Sequence, residues 1–163
     1  MPGHVHPPKI PAKYYKPIGQ VIVGWNLTEA LMASIIWYIY KIKDVKRGRV
    51  LIYWLTAANK LKVLAYSAKH FAKLSVRKEL MELQKRATDM NIKRNLLAHG
   101  FWGRLPKERL WKVFKTQESN DDLVMPRYEV GSKECDPVRI AQDILDLNVD
   151  LGKFMDRNGI PPP

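Results

Sequence analysis

The chain of 163 residues holds a single cysteine, Cys135. That excludes an intrachain disulfide framework and any zinc site built on several thiolates. Only four histidines are present. His4-x-His6 is spaced for a shared metal, but His70 and His99 alone remain to complete a ligand set, so the pair reads as part of a tail. The first residues are rich in proline, histidine and lysine where a secretory leader needs an apolar core, and no such leader is expected. Internal repeats, a P-loop, a G-x-G-x-x-G turn and a recognisable Ser/His/Asp arrangement are all missing from the sequence. These absences remove the phosphate-loop, dinucleotide-binding and serine-hydrolase classes.

Acidic side chains are also scarce. The 28 Lys+Arg outnumber 16 Asp+Glu, giving a net charge of +12 and a pI near 9.8. Such an excess points to a polyanionic partner, nucleic acid first and an acidic membrane surface second. The imbalance is local: residues 1–116 carry 23 basic and 6 acidic side chains, residues 117–163 carry 5 and 10. Positive charge therefore gathers on the first two thirds of the chain.

Length allows one domain with a real core. Residues 1–17, with five prolines, predict an extended arm that holds no regular helix. Residues 18–42 (IGQVIVGWNLTEALMASIIWYIYKI) are apolar nearly all round. A membrane span fits that pattern by length, with Lys41, Lys43, Lys46, Arg47 and Arg49 as its flank. Gln20, Asn26, Thr28 and Glu29 favour the other reading, a helix with one face in its own core and another against a partner subunit. Glu29 is either a satisfied core carboxylate or a group aimed at an active cleft.

A second helix is predicted over 45–74 from the recurrence of Leu51, Leu55, Ala58, Leu61, Leu64 and Ala65. Ser75 is a fitting N-cap for a third over 76–98, whose inner stripe is Leu80, Leu83, Ala87, Met90 and Leu97. Arg77, Lys78, Lys85, Arg86, Lys93 and Arg94 make its other faces basic. Alternation at Leu110–Lys115 and Leu123–Val130 predicts a β-hairpin at about 108–130, resting on the bundle. Its aromatics interleave with Arg104, Lys107, Arg109, Lys112 and Arg127, an arrangement that suits either gluing the hairpin down or stacking on bases. Asp136-Pro137 opens a last helix through Arg157, with a stripe of Ile140, Ala141, Ile144, Leu147, Leu151, Phe154 and Met155. Asn158-Gly159 and Pro161–Pro163 end it, leaving 159–163 as a tail.

The third helix ends in Lys93-Arg94-Asn95-Leu96-Leu97-Ala98-His99-Gly100. An arginine holds phosphate oxygens by charge and planar geometry, and a histidine moves a proton near neutral pH. The plainer reading makes them a surface cation and a helix-end cap beside glycine. At 100° per residue, Arg94 and His99 lie about 140° apart around the axis. That phase predicts a site completed by an unwound last turn or by a second subunit.

Arg94-Asn95-Leu96-Leu97-Ala98-His99, an R-x4-H with Asn after the arginine and Gly100 behind it, resembles the signature of the HEPN superfamily. The resemblance spans roughly residues 18–157 in architecture, though its specificity rests on those few residues. It implies an all-α bundle of four to five helices, here with a hairpin inserted before the last. It implies a metal-independent RNA endonuclease, acting by 2′-OH attack to leave a 2′,3′-cyclic phosphate and a 5′-OH, in defence or toxin-type growth control. Arg94, Asn95 and His99 would be catalytic, with Lys93, Arg104, Lys85 and Arg86 on RNA and Glu29 in support. No cofactor or metal is expected. The implied partners are RNA, a second copy of the chain and a nucleotidyltransferase-type antitoxin. The lone cysteine suits a reducing cytoplasm, and the polar residues within 18–42 argue against a membrane. Because the family includes members that bind without cutting, a non-catalytic dimeric module for nucleic acid or nucleotide is the alternative.

Overall fold

The computed structural model describes residues 10–44, 46, 48, 50, 52, 54–70, 74–103, 112–114, 127–132 and 134–163. The fold is an all-α bundle with a small sheet ahead of its last helix. Its long helices are α1 (Tyr15–Ile39), α2 (Ala57–His70), α3 (Leu74–His99) and α4 (Pro137–Arg157). Between α3 and α4 lie β1 (Phe101–Gly103), β2 (Lys112–Phe114) and β3 (Arg127–Glu129), antiparallel in that order. β2 and β3 are the expected hairpin; β1, three residues long, is too short to show alternation in sequence.

Helix α1 starts earlier than the proline-rich sequence predicts. A 3-10 turn over Ala12–Tyr14 leads into it, and Pro17 sits in its first turn. Amides there have no acceptor within the helix, so proline costs no hydrogen bond. The expected arm is therefore helical from residue 12; residues 1–9, with His4 and His6, lie outside the described residues. At the far end Lys41 takes a positive φ of 49°, and Ile42 N bonds back to Trp37 O at 3.2 Å, closing α1 at Ile39.

The second expected helix is broken. Lys46, Gly48, Val50 and Ile52 are helical, but Trp54 and Leu55 form a turn and a bend before α2 begins at Ala57. Thr56 Oγ1 accepts from Asn59 N at 3.3 Å, which is an N-cap bond and a second helix start. After that reset the buried positions are Leu61, Leu64, Ser67 and Ala68, whereas Ala58 is exposed.

Gly24 packs against Ile144 and Thr28 against Asn148, so α1 and α4 run parallel. Helix α3 runs against both α2, through Gln84 Nε2 to Leu61 O at 3.3 Å, and α4, through Arg86 to Asp150. Val21, Trp25, Met32, Ile35, Leu64, Leu80, Ile140, Ile144, Leu147 and Leu151 fill the space between them. The predicted stripes of α3 and α4 face this core, with Ala141 at its edge.

A polar link joins α1 and α4 inside the core. Asn148 Nδ2 donates to Gly24 O at 2.9 Å, and Thr28 Oγ1 donates to Asn148 Oδ1 at 2.7 Å. Gly24 permits this approach, because a Cβ there would meet Ile144 Cγ2 at 3.0 Å. Residues Ala12–Ile39 are long and apolar enough to cross a membrane by length and composition, and a third of that apolar window is buried in the bundle.

Candidate active site

The motif occupies the last turns of α3, at the end of the bundle where α1 begins. Gly100 N donates to Leu96 O at 2.9 Å, so the helical ladder is intact through His99. Trp102 on β1 donates its Nε1 to Leu97 O at 3.1 Å and satisfies a carbonyl that the helix end would leave open. The Trp102 ring also lies 5.8 Å from that of Tyr14, centroid to centroid. The sheet thus ties the end of α3 to the start of α1.

Arg94 is half-buried, while Asn95 and His99 are exposed. Arg94 Nη1 donates to Asn95 Oδ1 at 2.8 Å and stands 3.4 Å from His99 Nε2. Guanidinium nitrogens are donors only, so a hydrogen bond across this contact would run from Arg94 to the lone pair of His99 Nε2. Three side chains therefore converge within one chain. The angular separation expected to require a second subunit or an unwound turn is bridged by the reach of the arginine side chain.

Asn91, three positions before Arg94, is a neighbour that motif reading does not single out. Its Oδ1 and the Nε of Arg94 are both buried and unpaired among the described residues. Buried polar atoms of this kind call for a partner, a condition that Trp25 Nε1 and Arg77 Nε share away from the motif. In sequence Asn91 gives no such hint, since it falls on the inner edge of an ordinary helical stripe.

Other expected site residues are not gathered here. Lys93 is half-buried beside Arg94 but about 100° around the helix. Lys85 lies nine positions before Arg94, about 14 Å along the axis and on roughly the opposite side. Arg86 is held by Asp150 at 2.7 Å across the α3/α4 seam. Glu29 accepts from Lys60 Nζ at 2.9 Å, some 22 Å along α1 from the Tyr14 end. It is a paired carboxylate on the α1/α2 side, not part of the motif cluster. Arg104 lies outside the described residues. Among those residues no group of three or more His, Cys, Asp and Glu is placed to hold a metal ion.

Comparisons with protein-family models, with curated proteins and with solved structures found no match for this chain.

Proposed function

We propose that the protein is a metal-independent RNA endonuclease of HEPN type. The observation that carries this reading is the contact set at the end of α3, with Arg94 Nη1 at 2.8 Å from Asn95 Oδ1 and 3.4 Å from His99 Nε2. RNA brings its own nucleophile, the ribose 2′-OH. His99 takes that proton on Nε2 once the Arg94 guanidinium turns from the ring to the phosphate. As the 2′-oxygen bonds to phosphorus the P–O5′ bond breaks, the 5′-oxygen taking up a proton from the imidazolium or from water. Arg94 stabilises the charge that builds on the phosphorane. Asn95 holds the guanidinium in register with the imidazole. The basic surplus of residues 1–116 supports a polyanionic substrate.

The test is RNA cleavage in EDTA by wild type, His99→Ala and Arg94→Lys. Loss of the general base should lower the rate on the order of 100- to 10,000-fold. Arg94→Lys should also be strongly impaired, because a point charge does not replace a planar fork. His99 is exposed, so its truncation should move stability by less than about 0.5 kcal/mol. Equal cleavage by His99→Ala sinks the mechanism. RNA bound but left intact by wild type makes the protein a binding module instead.

We further propose that the nuclease is a homodimer formed through α1 and α4. Val23 and Leu27 precede, and Leu145 and Val149 follow, the residues that meet across that parallel pair. In two parallel helices these opposite offsets turn both stripes to the same side. All four side chains are exposed, giving one apolar face on two helices.

A further inference from the structure

A groove of about 1660 Å³ runs along the C-terminal half of α1, toward the end of the bundle opposite the Arg94 cluster. Its walls include Trp37, Ile42, Ile52, Trp54, Leu80 and Phe154. Sites for compact small molecules usually enclose about 300–1,000 Å³. This one is larger and elongated along a helix. Trp54 projects into it 80% exposed, and Val50 is exposed beside it. Large apolar side chains kept in water at the lip of an apolar groove favour an occupant that is itself largely apolar.

The charges select among such occupants. Glu29 and Arg157 also line the groove, the first paired with Lys60 and the second with Glu79. Both of these cation–carboxylate pairs are internally neutral. Lys41 and Lys43, exposed where α1 ends, give the mouth its positive character. An extended peptide fits poorly, because the helical part of the wall has spent its amides and carbonyls and Pro161–Pro163 in the rest have no amide proton to donate. A flexible chain with a negative head needs no such donor.

We propose that this groove binds a long-chain amphiphile with an anionic head, its chain lying along Trp37 and Trp54 and its head between Lys41 and Lys43. The site is independent of the proposed RNA chemistry, about 30 Å away along α3.

The test titrates the full chain with monomeric 9,10-dibromostearate and follows tryptophan fluorescence, since bromine quenches only at contact. Saturable quenching is expected, and Trp54→Phe should lose a large part of it. That residue is too exposed to carry the fold, so the variant remains informative if Trp37→Phe does not fold. Lys41→Glu combined with Lys43→Glu should weaken binding about tenfold, the equivalent of about 1.4 kcal/mol. His99→Ala should bind as wild type does. Absence of saturable quenching, or quenching untouched in Trp54→Phe, overturns the proposal. So does unchanged affinity in the lysine variant. A parallel arm uses phosphatidylglycerol vesicles: binding to vesicles without binding to the monomeric acid also overturns it, in favour of adsorption to a lipid surface.

Discussion

Arg94 shows how a residue's reach decides what a helical wheel cannot. The angle between Arg94 and His99 was legible in the sequence, and so was the helix end that carries them. Their contact was not, because a wheel places Cα atoms while the guanidinium sits several bonds away. Asn148 is a second case. It looks like an ordinary polar residue on the inner stripe of α4, yet its amide links α4 to the Gly24 carbonyl and accepts from Thr28. Replacing Thr28 by valine keeps the shape and leaves Asn148 Oδ1 buried without that donor, at a cost of about 1–3 kcal/mol. Urea unfolding of Thr28→Val beside Thr28→Ser, which keeps the hydroxyl, measures it.

Cys135 is fully buried, and burial, aided by the carboxylates of Asp136 and Glu134, pushes its thiol from 9.0 up to about 12. The native thiol should resist disulfide exchange reagents until the protein unfolds. A raised folded-state value means the native state keeps a proton that the unfolded chain releases. Stability from this group is fully present below pH 9 and falls by about 1.4 kcal/mol per pH unit between there and pH 12. Cys135→Ser should lose that alkaline slope, and an unchanged slope assigns it to other groups.

Among the elements, α4 was the most legible. Asp136 caps it by accepting from Val138 N at 3.0 Å and Arg139 N at 3.4 Å, with Pro137 next, as the dipeptide predicts. Removing the cap with Asp136→Ala should cost about 1 kcal/mol by thermal unfolding. The boundary between Trp54 and α2 was not legible, because Val50 to Leu55 carry an apolar run through it. The cue that was present, Thr56 as a cap, is weaker than a hydrophobic period. The contact between α1 and α4 depends on a missing side chain. Gly24→Leu should force the pair apart and destabilise by about 1–3 kcal/mol, against a small gain in helix propensity. Near-UV circular dichroism of Trp25, buried one residue away, reports that shift directly.

For the molecule as a whole, composition foretold the basic surplus, and the structure shows where part of it is spent. Arg86 is tied to Asp150, and Arg157 to Glu79, along the seam between the basic α3 and the acidic α4. These pairs are half-exposed and worth little to stability. They remove Arg86 from the free charge of α3, so the proposed phosphate-facing surface is narrower than a count of lysines and arginines suggests. The apolarity of α1 divides likewise: one face fills the core and another, with Val23 and Leu27, remains in water. If that face joins two chains, Leu27→Glu with Leu145→Glu should halve the mass seen by light scattering while leaving the helical circular dichroism unchanged. A wild-type protein that is already monomeric counts against the dimer.

The parallel run of α1 and α4 fixes where the chain can be extended. Tyr14 lies against Trp102 at the Arg94 end, whereas Ile160–Pro163 lie in the wall of the groove. The described chain therefore starts near the proposed catalytic cluster, and Pro163 stands beside the proposed amphiphile site. A fluorescent protein fused after Pro163 would shield the groove, and a circular permutant joining Pro163 to residue 10 would need a linker long enough to travel the length of the bundle.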